Sequence, residues 1–322
     1  MAVGKDPLNI QYLERDTESA AALLDGLRER ATVEVHPSLE SMLLAIQDKT
    51  PDLLLFDLDA LRQSPTSRVG EILEHRNRIP MALVTATPIE TLFPELRRYG
   101  LLQIFVKTPP FEQDELNIFL QSVITPDAGF GLVRYLSHTV ELYSLAISTI
   151  PQKVQAIERA ANHFLTCGFD VHELYDVRLT LEELTNNSLF HAFQEPPGTE
   201  KYSIRTFKQL AAGESVRLEF GSDGVRTGFS VTDNAGTLPI KTILAKLERQ
   251  YNREGLYDEN GRGIYLTRML SSQMIINIEA QRRTQTLVLF DARRKTDRAK
   301  PFVVNYVGPD SFSEWGTDPE MD

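Results

Sequence analysis

From residue 8 to about residue 124, short apolar runs alternate with amphipathic stretches. Leu8–Leu13, Thr32–His36, Asp52–Phe56, Met81–Thr85 and Ile104–Val106 read as strands. Between them, Thr17–Glu29 carries Ala20, Leu23, Leu24 and Leu27 on one helical face. Further helices are expected over Leu39–Gln47, Ser67–Arg76, Pro94–Tyr99 and Gln113–Val123. The Asp52–Phe56 run lacks polar alternation, as a parallel strand buried on both faces would. Strand–helix alternation repeated five times predicts a doubly wound parallel α/β sheet.

The pattern changes after Thr125–Gly131, a stretch with Pro126, Gly129 and Gly131 that reads as a domain boundary. Val140–Ile147 reads as a strand, and helices are expected over Pro151–Leu165 and His172–Phe193. A loop with Pro196, Pro197 and Gly198 precedes strands expected near Tyr202–Phe207, Val216–Phe220 and Gly228–Thr232. Then come a helix at Ile240–Gln250, a glycine turn, another helix, and strands Met274–Glu279 and Thr286–Phe290. Helices grouped beside mostly antiparallel strands predict an α+β two-layer sandwich. The expected organisation is therefore a first domain over 1–125, a linker over 126–139, a second domain over 140–299 and a polar tail over 300–322. That tail carries Phe312 and Trp315 and is read as either mobile or docked on the body.

Composition narrows the functional classes. A net charge of −11 argues against a protein whose main work is gripping a nucleic-acid backbone. Cys167 is the only cysteine, so no internal disulfide forms. No apolar run approaches the roughly 20 residues of a membrane span. The first residues lack the apolar stretch of a signal peptide. A cytoplasmic location without membrane attachment is the expectation.

Three pieces of the second half carry chemistry. Glu183, Asn187 and His191 are spaced four apart and form one polar stripe on a helix; Val177, Leu181, Leu184 and Ser188 lie on the adjoining face. Asn supplies a neutral oxygen suited to Mg²⁺, and Glu can accept a proton. Asp233 follows the apolar strand Phe229–Val231 and enters a turn with Gly236, where a carboxylate can accept a hydrogen bond from an adenine amino group. Gly261 and Gly263 precede a helix whose first free amides make a ready anion site, and Arg262 is read as either reaching a phosphate or pointing to solvent. Residues between Pro239 and Asn260 read as a lid.

The series E-x-x-x-N-x-x-x-H, then D-N-x-G, then G-R-G-I before a helix, resembles the GHKL ATPase superfamily. Within it, residues 140–292 most resemble the bacterial anti-sigma-factor serine kinases. The resemblance implies ATP and Mg²⁺ as cofactors, with Asn187 as Mg²⁺ ligand and Glu183 as general base. It further implies Asp233 as adenine reader and Gly236, Gly261 and Gly263 as pocket-shaping residues. Two features depart from the pattern. Asn186 stands where the family has Thr, so a one-residue slip to Glu182 and Asn186 is an alternative register. Ala235 and Thr237 stand where the family's D-x-G-x-G box has glycines.

In the first half, Asp57, Thr85 and Lys107 end the third, fourth and fifth strands, where doubly wound sheets place their sites. These positions resemble those of a flavodoxin-like response-regulator receiver domain, with Asp57 as phosphoacceptor beside Thr85 and Lys107. The resemblance implies Mg²⁺ held by Glu14 and Asp57. Where receivers carry a second acidic residue, this chain has Arg15, with Asp16 following. The domain is thus read as either a phosphorylatable receiver or a pseudo-receiver that only binds a partner.

Together these readings imply a bacterial regulatory protein of two-component type. It would bind MgATP and phosphorylate Ser or Thr of an antagonist protein (anti-anti-sigma-like) in a partner-switching pathway, under control of its receiver-like domain. A sigma factor, an upstream histidine kinase and a homodimer are the other implied partners. The alternative is a non-catalytic, ATP-dependent module that sequesters a sigma factor or antagonist. A sensor histidine kinase is disfavoured, because the stretch between His138 and Asn187 is too short for two long dimerisation helices.

Overall fold

The computed structural model describes residues 7–107, 113–124, 129–136, 141–196, 198–252, 263–291 and 300–308. They divide into two compact units, Met1–Thr125 with Arg298–Val303, and Pro126–Asp297 with Val304–Asp322.

The first unit has five parallel strands, β1 (Leu8–Leu13), β2 (Ala31–His36), β3 (Leu53–Asp57), β4 (Met81–Thr85) and β5 (Gln103–Val106), in the order β2-β1-β3-β4-β5. This is the flavodoxin-like winding order, whose sites lie outside the carboxyl ends of the strands. Its helices are α1 (Thr17–Leu27), α2 (Leu39–Asp48), α3 (Leu58–Arg62), α4 (Thr66–Leu73), α5 (Phe93–Tyr99) and α6 (Gln113–Ile124). Local sequence starts several of them: Asp16 caps α1, Ser38 caps α2 and Asp57 caps α3, each accepting a backbone N–H. All five residues of β3 are buried, as its unbroken apolar run requires. Phe302 and Val303 pair antiparallel with Ile104 and Gln103.

Two details differ from the sequence reading. The short helix α3 follows Asp57 directly, because the strand's terminal carboxylate serves as its N-cap. The single helix expected over Ser67–Arg76 ends at Leu73 and tightens into a 3₁₀ turn, Glu74–Asn77.

The second unit has an antiparallel sheet of β6 (Glu141–Ile147), β9 (Val216–Ser222), β10 (Arg226–Asp233), β11 (Gln273–Glu279) and β12 (Arg283–Asp291), ordered β11-β12-β10-β9-β6. Helices α7 (Ile150–Thr166), α8 (Val171–Asn186), α9 (Ile240–Tyr251) and α10 (Gly263–Leu270) complete the α+β sandwich. Thr149 caps α7, and a capping box joins Asp170 to Glu173 at the start of α8. Phe164, Val177, Leu181 and Leu184 pack on Leu218, Phe229 and Phe290 in the main core.

The strand expected over Tyr202–Phe207 does not form. Those residues make turns, and the Tyr202 ring packs edge-on against Phe193 and Phe207. Aromatic packing decides that stretch, and the pairing on either side of it is short: a two-residue hairpin, β7 (Gln194–Glu195) with β8 (Thr199–Glu200), and a single bridge from Gln209 to Thr149. In the stretch read as a polar tail, β13 (Phe302–Val307) forms a strand; in the second unit Asn305 donates to Asn277 Oδ1 at 2.9 Å and Ala280 N–H donates to Val307 O at 2.8 Å. Phe312 and Trp315 lie outside the described residues, as does His138. Among the described residues no helix is long and apolar enough to cross a membrane.

Candidate functional site

Helix α8 presents two polar faces, and the neighbouring helices tell them apart. Lys153 on α7 is buried, forms an ion pair with Glu182 and donates to Asn186 Oδ1 at 2.7 Å. Glu182 and Asn186, the alternative register, are therefore occupied by a packing lysine. Glu183 and Asn187, one position on, face the first residue of α10. A Cβ added at Gly263 would lie 2.7 Å from Glu183 Oε2 and 3.2 Å from Asn187 Nδ2. Glycine lets the start of α10 approach this carboxylate and amide directly.

Beyond Asn186 the helix widens into a π turn, Asn187–His191. Such turns recur at functional sites because the extra residue re-aims side chains. Ser188, Leu189 and Phe190 are buried, while His191 is half-buried and pairs with Glu200 through Nδ1 at 2.6 Å.

Asp233 ends β10, is 4 % exposed, and sits across from the π turn. Its Oδ1 accepts the N–H of Ala235 at 3.1 Å and of Gly236 at 3.4 Å, and Ser188 Oγ lies 3.5 Å from Oδ2. Burial pushes this carboxyl up to about 6, against the lowering effect of backbone donors from Ala235, Gly236 and Thr284. Among the described residues no lysine or arginine pairs with it.

Gly236 has φ +63, and a Cβ there would come within 2.3 Å of Glu279 O and 2.5 Å of Arg282 N. Its lack of a side chain thus admits the β11–β12 turn. Thr237, one of the two departures from the glycine box, donates its hydroxyl to Ala192 O and ties this turn to the end of the α8 segment. Ala235, the other, packs against the core. A cleft of about 340 Å³ borders the turn, with Ala192, Phe193, Glu214, Ala235 and Thr237 among its lining. Gly261, Arg262 and the 253–260 part of the expected lid lie outside the described residues; its preceding part is helix α9.

The carboxylate cluster of the first unit is built differently. Lys107 Nζ lies 2.7 Å from Glu14 Oε2 and 2.7 Å from Asp57 Oδ2. Glu14 Oε2 also accepts from Tyr12 OH at 3.1 Å, while Oε1 accepts the N–H groups of Arg15 at 2.9 Å and Asp16 at 3.0 Å. Asp57 Oδ1 accepts Ala60 N–H at 2.9 Å. Burial works to raise the Glu14 carboxyl, but the Lys107 and backbone hydrogen bonds outweigh it and hold it below its ordinary range. Burial likewise opposes the Lys107 charge, and the two carboxylates overcome this and raise it. Tyr12 is raised by burial and by the adjacent negative charges.

Arg15 reaches out to Gln63 Oε1 at 2.8 Å, and the Asp16 carboxylate caps α1. Both contribute backbone N–H groups to Glu14, but their side chains make these contacts outside the cluster. Thr85 is buried and accepts the N–H of Thr87 at 3.0 Å. Each carboxylate oxygen of Glu14 and Asp57 has a protein partner in this arrangement, and Lys107 lies between the two residues that were expected to hold Mg²⁺. Among the described residues no group of three or more His, Cys, Asp or Glu is placed to hold a metal. Asn187, beside Gly263, carries an amide oxygen of the kind that suits a nucleotide-bound Mg²⁺, which takes one or two protein oxygens and completes its shell from phosphates and water.

A family model described as a histidine kinase-like ATPase domain matches residues 147–289. No curated protein matches the chain. The solved structures similar to this chain include the following three. The signal receiver domain of an HD domain-containing protein from Pseudomonas fluorescens Pf-5 has 14% identity and TM-score 0.32, covering 37% of this chain and 95% of that one. A response regulator from Thermotoga maritima has 15% identity and TM-score 0.31, covering 37% and 98%. The HemR receiver domain from Leptospira biflexa has 21% identity and TM-score 0.30, covering 37% and 95%. The chain thus joins a flavodoxin-like α/β unit to a second unit of which residues 147–289 match the histidine kinase-like ATPase domain model.

Proposed function

We propose that this protein is a regulatory kinase that binds MgATP in its second unit and phosphorylates Ser or Thr of a protein antagonist. The observation that carries the reading is the meeting of Glu183 and Asn187 with Gly263 at the start of α10. That arrangement sets a proton acceptor, a neutral oxygen donor and a helix N-terminus side by side.

Bound MgATP would supply the phosphoryl group and a cation to offset its charge. The chain's own groups have separable tasks. Asn187 offers its carbonyl oxygen as a metal ligand. Glu183 takes the proton of the attacking hydroxyl. Asp233 accepts from an exocyclic amino group on the base. The amides at the start of α10 face phosphate oxygens.

The first unit is read as a pseudo-receiver that regulates by binding a partner. The observations favouring this are Lys107 shared between Glu14 and Asp57, which offsets part of their negative charge, and Arg15 in place of a second acidic residue.

The test is titration of the full chain with ATP, with and without Mg²⁺, beside Asn187→Ala. Binding should require Mg²⁺ and fail in the variant. Transfer of labelled γ-phosphate to candidate antagonist proteins should then be lost in Glu183→Gln. Binding without any transfer would leave the alternative, an ATP-dependent sequestering module.

A further inference from the structure

Residues 129–136 follow the first unit in sequence but are woven into the second. Gly129 O accepts from Asn277 Nδ2 at 3.0 Å and from Tyr135 OH at 2.7 Å. Gly131 N–H donates to Gln285 Oε1 at 3.2 Å, and Leu132 N–H to Glu219 Oε2 at 3.2 Å. Leu132 and Tyr135 are buried, and the Arg283 guanidinium lies 3.8 Å over the Phe130 ring. Gly228 on β10 makes room for Leu132, whose Cδ1 would be 3.3 Å from a Cβ there.

Two of the gripped residues lead on to the Asp233–Thr237 turn. Gln285 Nε2 donates to Thr232 Oγ1 at 3.1 Å, one residue before Asp233. Arg283 starts β12, and its N–H lies 2.7 Å from where a Gly236 Cβ would be. Gln281 N–H donates to Gly236 O at 3.0 Å. The β11–β12 turn therefore touches the 129–136 segment on one side and the Asp233–Thr237 turn on the other. Gly236 thus brings the two turns into direct backbone contact, which couples their positions.

We propose that residues 129–136 are a strap that positions the Asp233–Thr237 turn, so that its grip on β9, β11 and β12 sets nucleotide affinity. This rests on the reading of Asp233 as a nucleotide contact. Arg283 and Gln285 act as positioning residues, since their effect passes through the turn.

The test uses the full chain as wild type, Phe130→Ala, Arg283→Ala and the double variant. MgATP affinity, thermal unfolding and amide exchange at Ala235 and Gly236 are measured for each. Each single change should weaken ATP binding about tenfold and speed exchange at those two amides, with little change at Leu218 and Phe220. The double variant should be no weaker than the worse single, because both act on one contact. Phe130→Leu, which keeps an apolar side chain, covers the case in which the alanine variant does not fold. Wild-type affinity and exchange in all variants, or fully additive losses, would overturn the strap. A wild-type chain that binds no ATP would overturn the nucleotide reading itself, and the strap with it.

Discussion

Glu14, at the end of β1, and Asp233, at the end of β10, are 5 % and 4 % exposed. Burial acts on both in the same direction, yet Glu14 is held below its ordinary range while Asp233 is pushed up to about 6. The difference lies in what surrounds them. Glu14 has the Lys107 ammonium at 2.7 Å, whereas Asp233 has backbone and hydroxyl donors alone. A buried carboxylate with its own cation is complete. One without a cation costs stability and makes sense where a ligand will use it.

The largest test of that contrast is Lys107→Met. It leaves Glu14 and Asp57 buried together without their cation, and breaking such a pair costs about 3–5 kcal/mol. Urea unfolding should show this loss, and adding Glu14→Gln should recover part of it. Full stability in the single variant would mean the triad is not what holds the strand ends together.

Asp233→Asn should act with the opposite sign. Because the folded carboxyl titrates near 6 and the unfolded one near 3.8, the native charge is disfavoured. Its contribution to stability is full below the unfolded value and is lost as pH rises through about 6. At pH 8 the variant should be more stable by up to about 3 kcal/mol, with the gain vanishing near pH 4. Glu14 works the other way, since its depressed carboxyl contributes stability that is lost as pH falls through its folded value. In the same Asp233→Asn variant, ATP binding should weaken, because a hydrogen bond to a charged group is worth about 1.5–3 kcal/mol. Stabilisation without lost affinity would remove Asp233 from the nucleotide site.

Gly263→Ala sharpens the comparison on the open side. The added methyl meets Glu183 Oε2 and Asn187 Nδ2, and overpacking of this kind costs about 1–3 kcal/mol. The loss should appear chiefly as weaker Mg²⁺-dependent ATP binding in calorimetry, with a smaller change in Tm. Arg15→Ala should do least. Its side chain reaches Gln63 outside the cluster, so stability should move by about 0.5 kcal/mol or less. A larger shift in thermal unfolding would place Arg15 in the cluster's electrostatics.

The sequence by itself determined both element patterns. Five strand–helix repeats and the unbroken Leu53–Phe56 run specify a parallel sheet, since apolar periodicity dictates which face each element must bury. The four-residue spacing of Glu183 and Asn187 placed them on one helical face. What spacing cannot supply is which neighbour that face meets. Only packing against α7 and α10 separated Glu182 and Asn186, taken by Lys153, from Glu183 and Asn187, beside Gly263. Arg15 stood at the right position for the cluster, but rotamer and partner turned it to Gln63. Gly236 was legible as a turn glycine, while its tight contact with the β11–β12 turn depends on chain about 45 residues away. The 129–136 strap left no motif, because its grip comes from backbone groups and single side chains scattered across β9, β11 and β12. Local periodicity sets the elements; contacts between residues far apart in sequence decide which polar groups are spent on the fold and which are left for chemistry.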